Sequence, residues 1–225
     1  MPGAPFRTAV FDMDGLLLDT ERPVRQAWLH ASASVGKPLG NDEYLALVGL
    51  NHRASEALLL AHFAADPARL AAAAKAAQAW LATEFGERPF DLKPGARALL
   101  ESLREGGIRC GVASSTHRAE VVKRLSAAGL MGFFEAVCGG DEVVHGKPAP
   151  DLYALAVARL GADAAATLAF EDSGHGVQAA LAAGLAVVNV PDLKAPEPAW
   201  QARCLAVLPT LDAALSHRAA WFGSR

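Results

Sequence analysis

Two aspartates separated by one residue, Asp12 and Asp14, directly follow a short apolar run that ends at Phe11. Carboxyl groups at this spacing share a small site, in which one can attack an electrophile and the other can transfer a proton. Because two like charges so close together resist ionisation, we expect one of the pair to have a raised pKa. Asp12 is therefore a candidate nucleophile, and Asp14 is a candidate general acid and base.

Further polar groups follow three later apolar runs. The hydroxyls of Ser114 and Ser115 come after the second run, and the ammonium of Lys147 lies in the connection after the third. A second acid pair, Glu171 and Asp172, follows the fourth. Carboxylate oxygens are the ligands that Mg²⁺ prefers, whereas hydroxyls and ammonium groups suit a phosphoryl group. The combination predicts a site for a metal ion and a phosphate.

A small phosphate monoester as substrate accounts for this combination. A carboxylate about 3.5 Å from a phosphate dianion is repelled by roughly 9 kcal/mol at an effective dielectric constant near 20. Asp12 can attack only if cations offset this repulsion. We expect Mg²⁺, bound by Asp12, Glu171 and Asp172, to be one of them. Lys147 supplies a further positive charge, and Ser114 donates a hydrogen bond to the phosphoryl group.

Strand and helix patterns alternate along most of the chain. Helical patterns such as Ala96 to Arg104, Arg118 to Ala128 and Asp151 to Leu160 separate short apolar runs, which is typical of a parallel sheet covered on both faces. The predicted strands are Thr8 to Phe11, Ile108 to Ala113, Ala136 to Cys138, Thr167 to Phe170, Ala186 to Val190 and Leu205 to Leu208. We expect a doubly wound, mainly parallel, Rossmann-like α/β fold whose carboxyl edge carries the site.

One block interrupts the alternation. From about Glu21 to about Phe90 the pattern is helical, and roughly 70 residues are too many for an ordinary connection. We therefore predict two domains: a catalytic core of residues 1–20 and 91–225, and an all-helical cap of residues 21–90. The hinges would lie near Leu18 to Glu21 and near Pro89 to Pro94.

The composition argues against nucleic-acid and membrane partners. The 225 residues are 52% hydrophobic and have a formal net charge of −3, with Lys and Arg scattered along the chain. Binding to nucleic acid needs a concentrated basic surface, and a membrane span needs about 20 apolar residues. Because no signal-peptide pattern precedes Asp12, we expect a cytoplasmic protein. The sequence does not determine the oligomeric state, and a monomer is compatible with it.

Taken in order, the four polar segments resemble the motifs of the haloacid dehalogenase (HAD) superfamily. The resemblance is to the branch with a helical, C1-type cap after the first motif, the group of β-phosphoglucomutase and the sugar-phosphate phosphatases. The matching segments are Phe11 to Glu21, Val112 to Thr116, Gly146 to Asp151, and Phe170 to Ser173 followed by Gly176 and Ala179–Ala180. In the predicted cap only the helical character matches.

The resemblance implies a magnesium-dependent phosphatase that forms an aspartyl-phosphate. Asp12 matches the nucleophile and Asp14 the general acid and base, and the presence of Asp14 argues against dehalogenation. The implied magnesium ligands are the carboxylates of Asp12 and Asp172 and the backbone carbonyl of Asp14, with Glu171 assisting.

The same resemblance extends to phosphate and substrate contacts. Ser114 and Lys147 match the pair that positions the phosphate, and Ser115 follows Ser114 in the second motif. In the cap, the segment Asn51, His52 and Arg53 falls where relatives place substrate-selecting residues.

One departure from the pattern separates two activities of this group. The mutases have a histidine four residues after the position of Thr20, and Val24 stands there in this chain. The departure favours hydrolysis over a β-phosphoglucomutase-like reaction, which is the alternative.

Two remote alternatives fit parts of the sequence. The segment Gly174 to Ala179, with Asp192 after the next strand, fits a dinucleotide-binding fingerprint, but the carboxylates of Glu171 and Asp172 would repel a pyrophosphate. A phosphoacceptor switch domain would use similar groups, but it would lack the helical insert and Asp14.

Overall fold

A six-stranded parallel sheet is the centre of the fold in the computed structural model, which describes residues 6–48, 50, 52–85 and 88–223, with only the backbone of His52. The strands are β1 Thr8–Phe11, β2 Arg109–Ser114, β3 Ala136–Gly139, β4 Thr167–Glu171, β5 Ala186–Asn189 and β6 Ala206–Val207. Their order is β3-β2-β1-β4-β5-β6, so the direction of winding reverses between β1 and β4. The six predicted strands and the doubly wound α/β class are confirmed.

Helices lie between the strands and in a block after β1. They are α1 Glu21–Ser34, α2 Asn41–Leu47, α3 His52–His62, α4 Pro67–Phe85, α5 Ala96–Glu105, α6 Arg118–Ala127, α7 Asp151–Arg159, α8 Gly174–Ala182, α9 Pro198–Gln201, α10 Leu211–Leu215 and α11 Arg218–Phe222. Three short 3₁₀ helices are Met131–Phe133, Gly140–Glu142 and Ala164–Ala166. None of the helices in the described part of the chain has the length and apolarity to cross a membrane.

Both faces of the sheet are covered by apolar side chains. Successive residues of β1 point to opposite faces, so that Val10 packs in the cluster with Tyr153 and Phe11 in the cluster with Phe170. The rings of Phe11 and Phe170 are stacked, with centroids 4.7 Å apart. This two-sided burial explains why the strands read as continuous apolar runs.

The strand register brings the motif residues to one edge. Phe11 lies opposite Val112 in β2 and opposite Phe170 in β4. Since the strands are parallel, the residues that follow them leave the sheet at the same side. Asp12 and Glu171 are therefore placed next to each other by the backbone of two adjacent strands.

The four helices α1 to α4 are joined to the sheet by two neighbouring connections. Leu18 forms an antiparallel bridge with Leu92, and the backbone N–H of Asp19 donates to the carbonyl of Asp91 at 2.9 Å. No strand occurs in the described residues between the two connections. The domain division at residues 21–90 stays a prediction.

A buried ion-pair network ties these connections to the loop after β5. The carboxylate of Asp192 accepts from Nζ of Lys93 at 2.6 Å and from Nη1 of Arg22 at 2.9 Å. The side chain of Asp192 is 2% exposed, and its second oxygen has no hydrogen-bond partner among the described residues. Without the charge of Asp192, Lys93 (15% exposed) would lose its ion-pair partner, whereas Arg22 is 47% exposed and also pairs with Asp19.

We predict that Asp192→Asn lowers the free energy of unfolding by about 3 kcal/mol, because the largely buried ammonium of Lys93 loses its ion-pair partner. Glu135→Gln is the control: Glu135 also pairs at 2.7 Å, with Arg109, but is 52% exposed. Glu135→Gln should lower the free energy of unfolding by less than about 1 kcal/mol. Urea unfolding curves of the three proteins measure both values. Equal effects of the two substitutions would contradict a structural role of the network.

Candidate active site

The ammonium of Lys147 joins two acidic residues at the carboxyl edge of the sheet. Lys147 lies in the connection between β3 and α7 and is 4% exposed. Its Nζ donates to Oδ1 of Asp12 at 2.6 Å and to Oε1 of Glu171 at 2.5 Å. The structure thus brings together three residues that are up to 159 positions apart in the chain.

Glu171 is held by hydrogen bonds at both carboxylate oxygens. The hydroxyl of Tyr153 donates to Oε1 at 3.0 Å, and the backbone N–H and hydroxyl of Ser173 donate to Oε2 at 2.9 and 3.1 Å. A Cβ atom on Gly176 would collide with the carboxyl group of Glu171. This close approach accounts for Gly176 without a bound dinucleotide.

Asp172 carries a buried carboxyl group beside this pair. It is 5% exposed, and its side chain makes no hydrogen bond or ion pair with any residue that the structure describes. Asp12, Glu171 and Asp172 each offer an oxygen, and these atoms lie within 4.8 Å of one another. A buried carboxylate without a cation, in an all-oxygen cluster, fits a hard divalent ion such as Mg²⁺.

The turn after Asp14 leaves space for Asp172. Gly15 has φ +83°, a conformation that favours glycine, and a Cβ atom there would collide with Oδ2 of Asp172. The first motif and the fourth motif are therefore in direct contact at this glycine.

Burial changes the proton affinities of the three acidic and basic groups in the cluster. It raises the pKa of Asp12 to about 8, with Glu171 and Asp14 adding to the shift and Lys147 opposing it. Burial also raises the pKa of Asp172, and the charges of Glu171 and Asp12 contribute. Burial opposes the charged form of Lys147, but Asp12 and Glu171 outweigh it and raise the pKa of the ammonium. The cluster therefore needs additional positive charge to hold all its carboxylates ionised.

The carboxyl group of Asp14 is anchored to β2 and α6. Its Oδ2 accepts from the hydroxyls of Ser114 at 3.2 Å and Thr116 at 2.9 Å. Its Oδ1 accepts from Nη1 of Arg124 at 2.8 Å, and Nε of Arg124 donates to Glu120 at 3.0 Å. Both aspartates therefore have an ion-pair partner, Lys147 for Asp12 and Arg124 for Asp14.

A cavity of about 290 Å³ opens beside Asp12 and Lys147. Its other lining residues are Asp14, Thr20, Glu21, Val24, Val48, Leu50, Ser115, Thr116, Arg124, Asp172 and Ser173. Burial raises the pKa of Glu21 to about 7, with Asp14 and Asp192 adding to the shift and Arg124 opposing it. The cavity combines the acidic cluster with a small apolar wall, which is typical of a substrate pocket.

The structure places the predicted core site residues around one cavity, whereas Arg53 in the predicted cap is not part of its lining. Asp12, Lys147, Glu171 and Asp172 form one cluster, and Ser114 donates to Asp14. Asp12, Asp14 and Ser115 line the same cavity. Arg53 is exposed on α3 and does not line the cavity. Asn51 and the side chain of His52 lie outside the described residues, so the roles of this segment stay predictions.

Sequence reasoning did not single out Arg124, Glu21 or Tyr153. Arg124 stands four residues after Glu120, a spacing that is typical of exposed ion pairs on helix surfaces. Tyr153 fits the apolar face of α7, and Glu21, the last residue of the first motif, resembles an ordinary acidic residue at a helix start. Only the tertiary contacts distinguish these residues from structural ones.

Comparisons with known proteins point to one family. A family model described as haloacid dehalogenase-like hydrolase matches residues 6–184. A phosphorylated carbohydrates phosphatase from Thermotoga maritima is 32% identical over 176 residues, which are 78% of this chain and 81% of that protein. The fructose-1-phosphate phosphatase YqaB from Escherichia coli is 32% identical over 183 residues, covering 80% of this chain and 94% of YqaB.

A solved structure agrees in fold over nearly the whole chain. A mutant of CbbY from Rhodobacter sphaeroides, in complex with xylulose-(1,5)-bisphosphate, superposes with a TM-score of 0.76 at 26% sequence identity. The match covers 92% of this chain and 95% of the CbbY chain.

We predict that Mg²⁺ stabilises the protein after treatment with EDTA, because the ion supplies the positive charge that the carboxyl cluster lacks. At a concentration of 100 times the dissociation constant, the gain is about 2.7 kcal/mol. Asp172→Asn should remove most of it, whereas Asp42→Asn, at an exposed position on α2, should not. Thermal unfolding with and without MgCl₂ measures the gain. An unchanged melting temperature in the unsubstituted protein would contradict a metal site here.

Proposed function

The chain belongs to the haloacid dehalogenase-like hydrolases, and on that basis we propose that it is a Mg²⁺-dependent phosphatase acting on a small phosphate monoester such as a sugar phosphate. The observation that carries the proposal is the contact of Lys147 with both Asp12 and Glu171 inside a buried oxygen cluster. The phosphatases that resemble the chain act on phosphorylated carbohydrates and fructose 1-phosphate by name, which supports a sugar phosphate.

Asp12 is the proposed nucleophile. One of its carboxylate oxygens is held by Lys147, which fixes the direction of the other. Attack of that free oxygen on phosphorus forms an aspartyl-phosphate and expels the alkoxide of the leaving group. Lys147 remains within reach of the phosphoryl oxygens and offsets their charge.

Asp12, Asp172 and the backbone carbonyl of Asp14 are the proposed holders of Mg²⁺. When bound, the ion neutralises charge on the phosphoryl group and lowers the repulsion between it and the nucleophile. Glu171, whose two oxygens already accept from protein donors, orients Lys147 and adds negative charge to the cluster.

Asp14 is the proposed general acid and base. It lies on the cavity wall, where it can give a proton to the departing alkoxide and later take one from the water that hydrolyses the aspartyl-phosphate. Ser114 now donates to Asp14, so a bound phosphoryl group would compete for this hydroxyl. The ion pair with Arg124 would keep Asp14 close to the cavity while Ser114 changes its hydrogen-bond partner from Asp14 to the phosphoryl group.

Water is the proposed acceptor of the phosphoryl group. Val24, at the position of the mutase histidine, lines the cavity with an isopropyl group that cannot exchange a proton. A β-phosphoglucomutase-like reaction is therefore disfavoured. We propose that helices α1 to α4 act as a cap over the cavity and exclude bulk water when substrate is bound. The cytoplasmic location stays a prediction.

Replacing the nucleophile tests the proposal. Asp12→Asn should lower kcat for p-nitrophenyl phosphate in MgCl₂ by at least about 1000-fold, because an amide cannot form the aspartyl-phosphate. Asp42→Asn makes the same chemical change at the exposed position used above and should retain activity. Circular dichroism of the purified variants checks the fold. Near-normal turnover by folded Asp12→Asn protein would refute the role of Asp12.

Replacing the acid and base should affect substrates unequally. Asp14→Asn should lower kcat/KM for an alkyl phosphate by about 100-fold or more, because an alkoxide needs a proton to depart. The loss should be smaller for p-nitrophenyl phosphate, whose phenolate leaves without protonation. Steady-state assays of both substrates give the two ratios. An equal loss for both would argue that Asp14 acts in another way.

A further inference from the structure

The cavity has an excess of acidic groups on its walls. Its lining includes the carboxyl groups of Asp12, Asp14, Glu21 and Asp172, but Lys147 and Arg124 are the only cations on it among the described residues. The two positive charges of Mg²⁺ and the two negative charges of the substrate's phosphoryl group would cancel each other in the total charge of the cavity. Among the described lining residues, no further positive charge is then left for a second anionic group on the substrate.

From this imbalance we propose that Glu21 and Arg124 select a leaving group that is uncharged and carries hydroxyls, and that they reject one with a second phosphate or a carboxylate. The inference rests on the proposed phosphatase function and narrows its substrate class.

Both cations on the wall are already paired. Lys147 is shared by Asp12 and Glu171 at 2.6 and 2.5 Å. Arg124 is shared by Asp14 and Glu120 at 2.8 and 3.0 Å. A second anionic group would have to compete with two carboxylates for either cation, which removes the usual gain of an ion pair.

The negative charge of Glu21 is not offset by an ion pair with any described residue. Glu21 is the first residue of α1 and lines the cavity. It can accept a hydrogen bond from a substrate hydroxyl, but it would repel a nearby anion. Glu21 is therefore the residue that most directly penalises a charged leaving group.

Arg124 can still donate to a neutral group. Its Nε and Nη1 are used by Glu120 and Asp14, but Nη2 makes no hydrogen bond with the described residues. A hydroxyl between Nη2 and the carboxylate of Glu21 could accept from one and donate to the other. Val24, Val48 and Leu50 give the same cavity an apolar wall that suits the C–H groups of a carbon chain.

Matched pairs of substrates test the inference. Fructose 1-phosphate and fructose 1,6-bisphosphate differ by one phosphate, and glycerol 3-phosphate and 3-phosphoglycerate differ by a carboxylate in place of a hydroxymethyl group. We expect kcat/KM, measured with MgCl₂ at pH 8.5, to be at least about tenfold higher for the uncharged member of each pair. At this pH Glu21 is ionised, since its pKa is raised only to about 7.

Substitutions at Glu21 separate its charge from its place in the fold. Glu21→Gln should reduce the preference within each pair at least about threefold, because the repulsion is removed. Glu21→Asp keeps the charge and should keep the preference. Glu56→Gln, at an exposed position on α3, removes one charge from the same block of helices and should leave the preference unchanged.

Each other outcome overturns the inference in a recognisable way. Turnover of all four esters with equal or higher kcat/KM for the charged members overturns the inference but not the phosphatase function. A preference for charged members that is lost in Arg53→Gln would place a cation of the cap in the cavity and also overturn it. An unchanged preference in folded Glu21→Gln protein would show that Glu21 does not set it. Absence of turnover with every ester would overturn both proposals.

Discussion

The ion pairs of a buried lysine are the constraint on which the site depends. Lys147 is almost inaccessible to water, and an isolated ammonium there would be costly. Its two short contacts with Asp12 and Glu171 offset that cost, and they also fix the directions of both carboxylates. The lysine therefore stabilises the cluster and holds one carboxylate oxygen of Asp12, a residue that lines the cavity. Lys147 does not offset all the negative charge of the three carboxylates, and the remaining charge favours binding of a divalent cation.

Much of the surrounding structure serves to hold this arrangement in place. Adjacent parallel strands deliver Asp12 and Glu171 to the same edge, Tyr153 and Ser173 saturate the oxygens of Glu171, and glycine at position 176 lets α8 approach closely. The helices inserted after β1 add the remaining wall of the cavity, with Glu21 and Val24 on its acidic and apolar sides.

The sequence was sufficient for the sheet and for the residues that lie at its edge. Short apolar strands separated by helical patterns have few ways to pack, and parallel strands force the residues after them to one side. The sequence alone therefore predicts that Asp12, Lys147 and Asp172 lie close together. The expected raised pKa is found at Asp12, where burial is the largest cause.

Side chains that reach the site from helix faces could not be foreseen in the same way. The position of Arg124 beside Asp14 depends on how α6 packs on the sheet, and its spacing from Glu120 alone indicates a surface pair. The segment around Arg53, which the sequence assigns to a predicted cap, has the same limit, because nothing local in the sequence determines which helix face is turned to the core.

The central claim is that Asp12 becomes phosphorylated during turnover, and trapping that intermediate tests it most directly. The enzyme is mixed with excess phosphate ester and Mg²⁺, quenched within milliseconds, and treated with borohydride, which reduces an acyl phosphate to an alcohol. Peptide mass spectrometry should then find homoserine at position 12 and unmodified aspartate at position 14. Reduction at another residue, or turnover with no reducible intermediate at any quench time, would contradict the account.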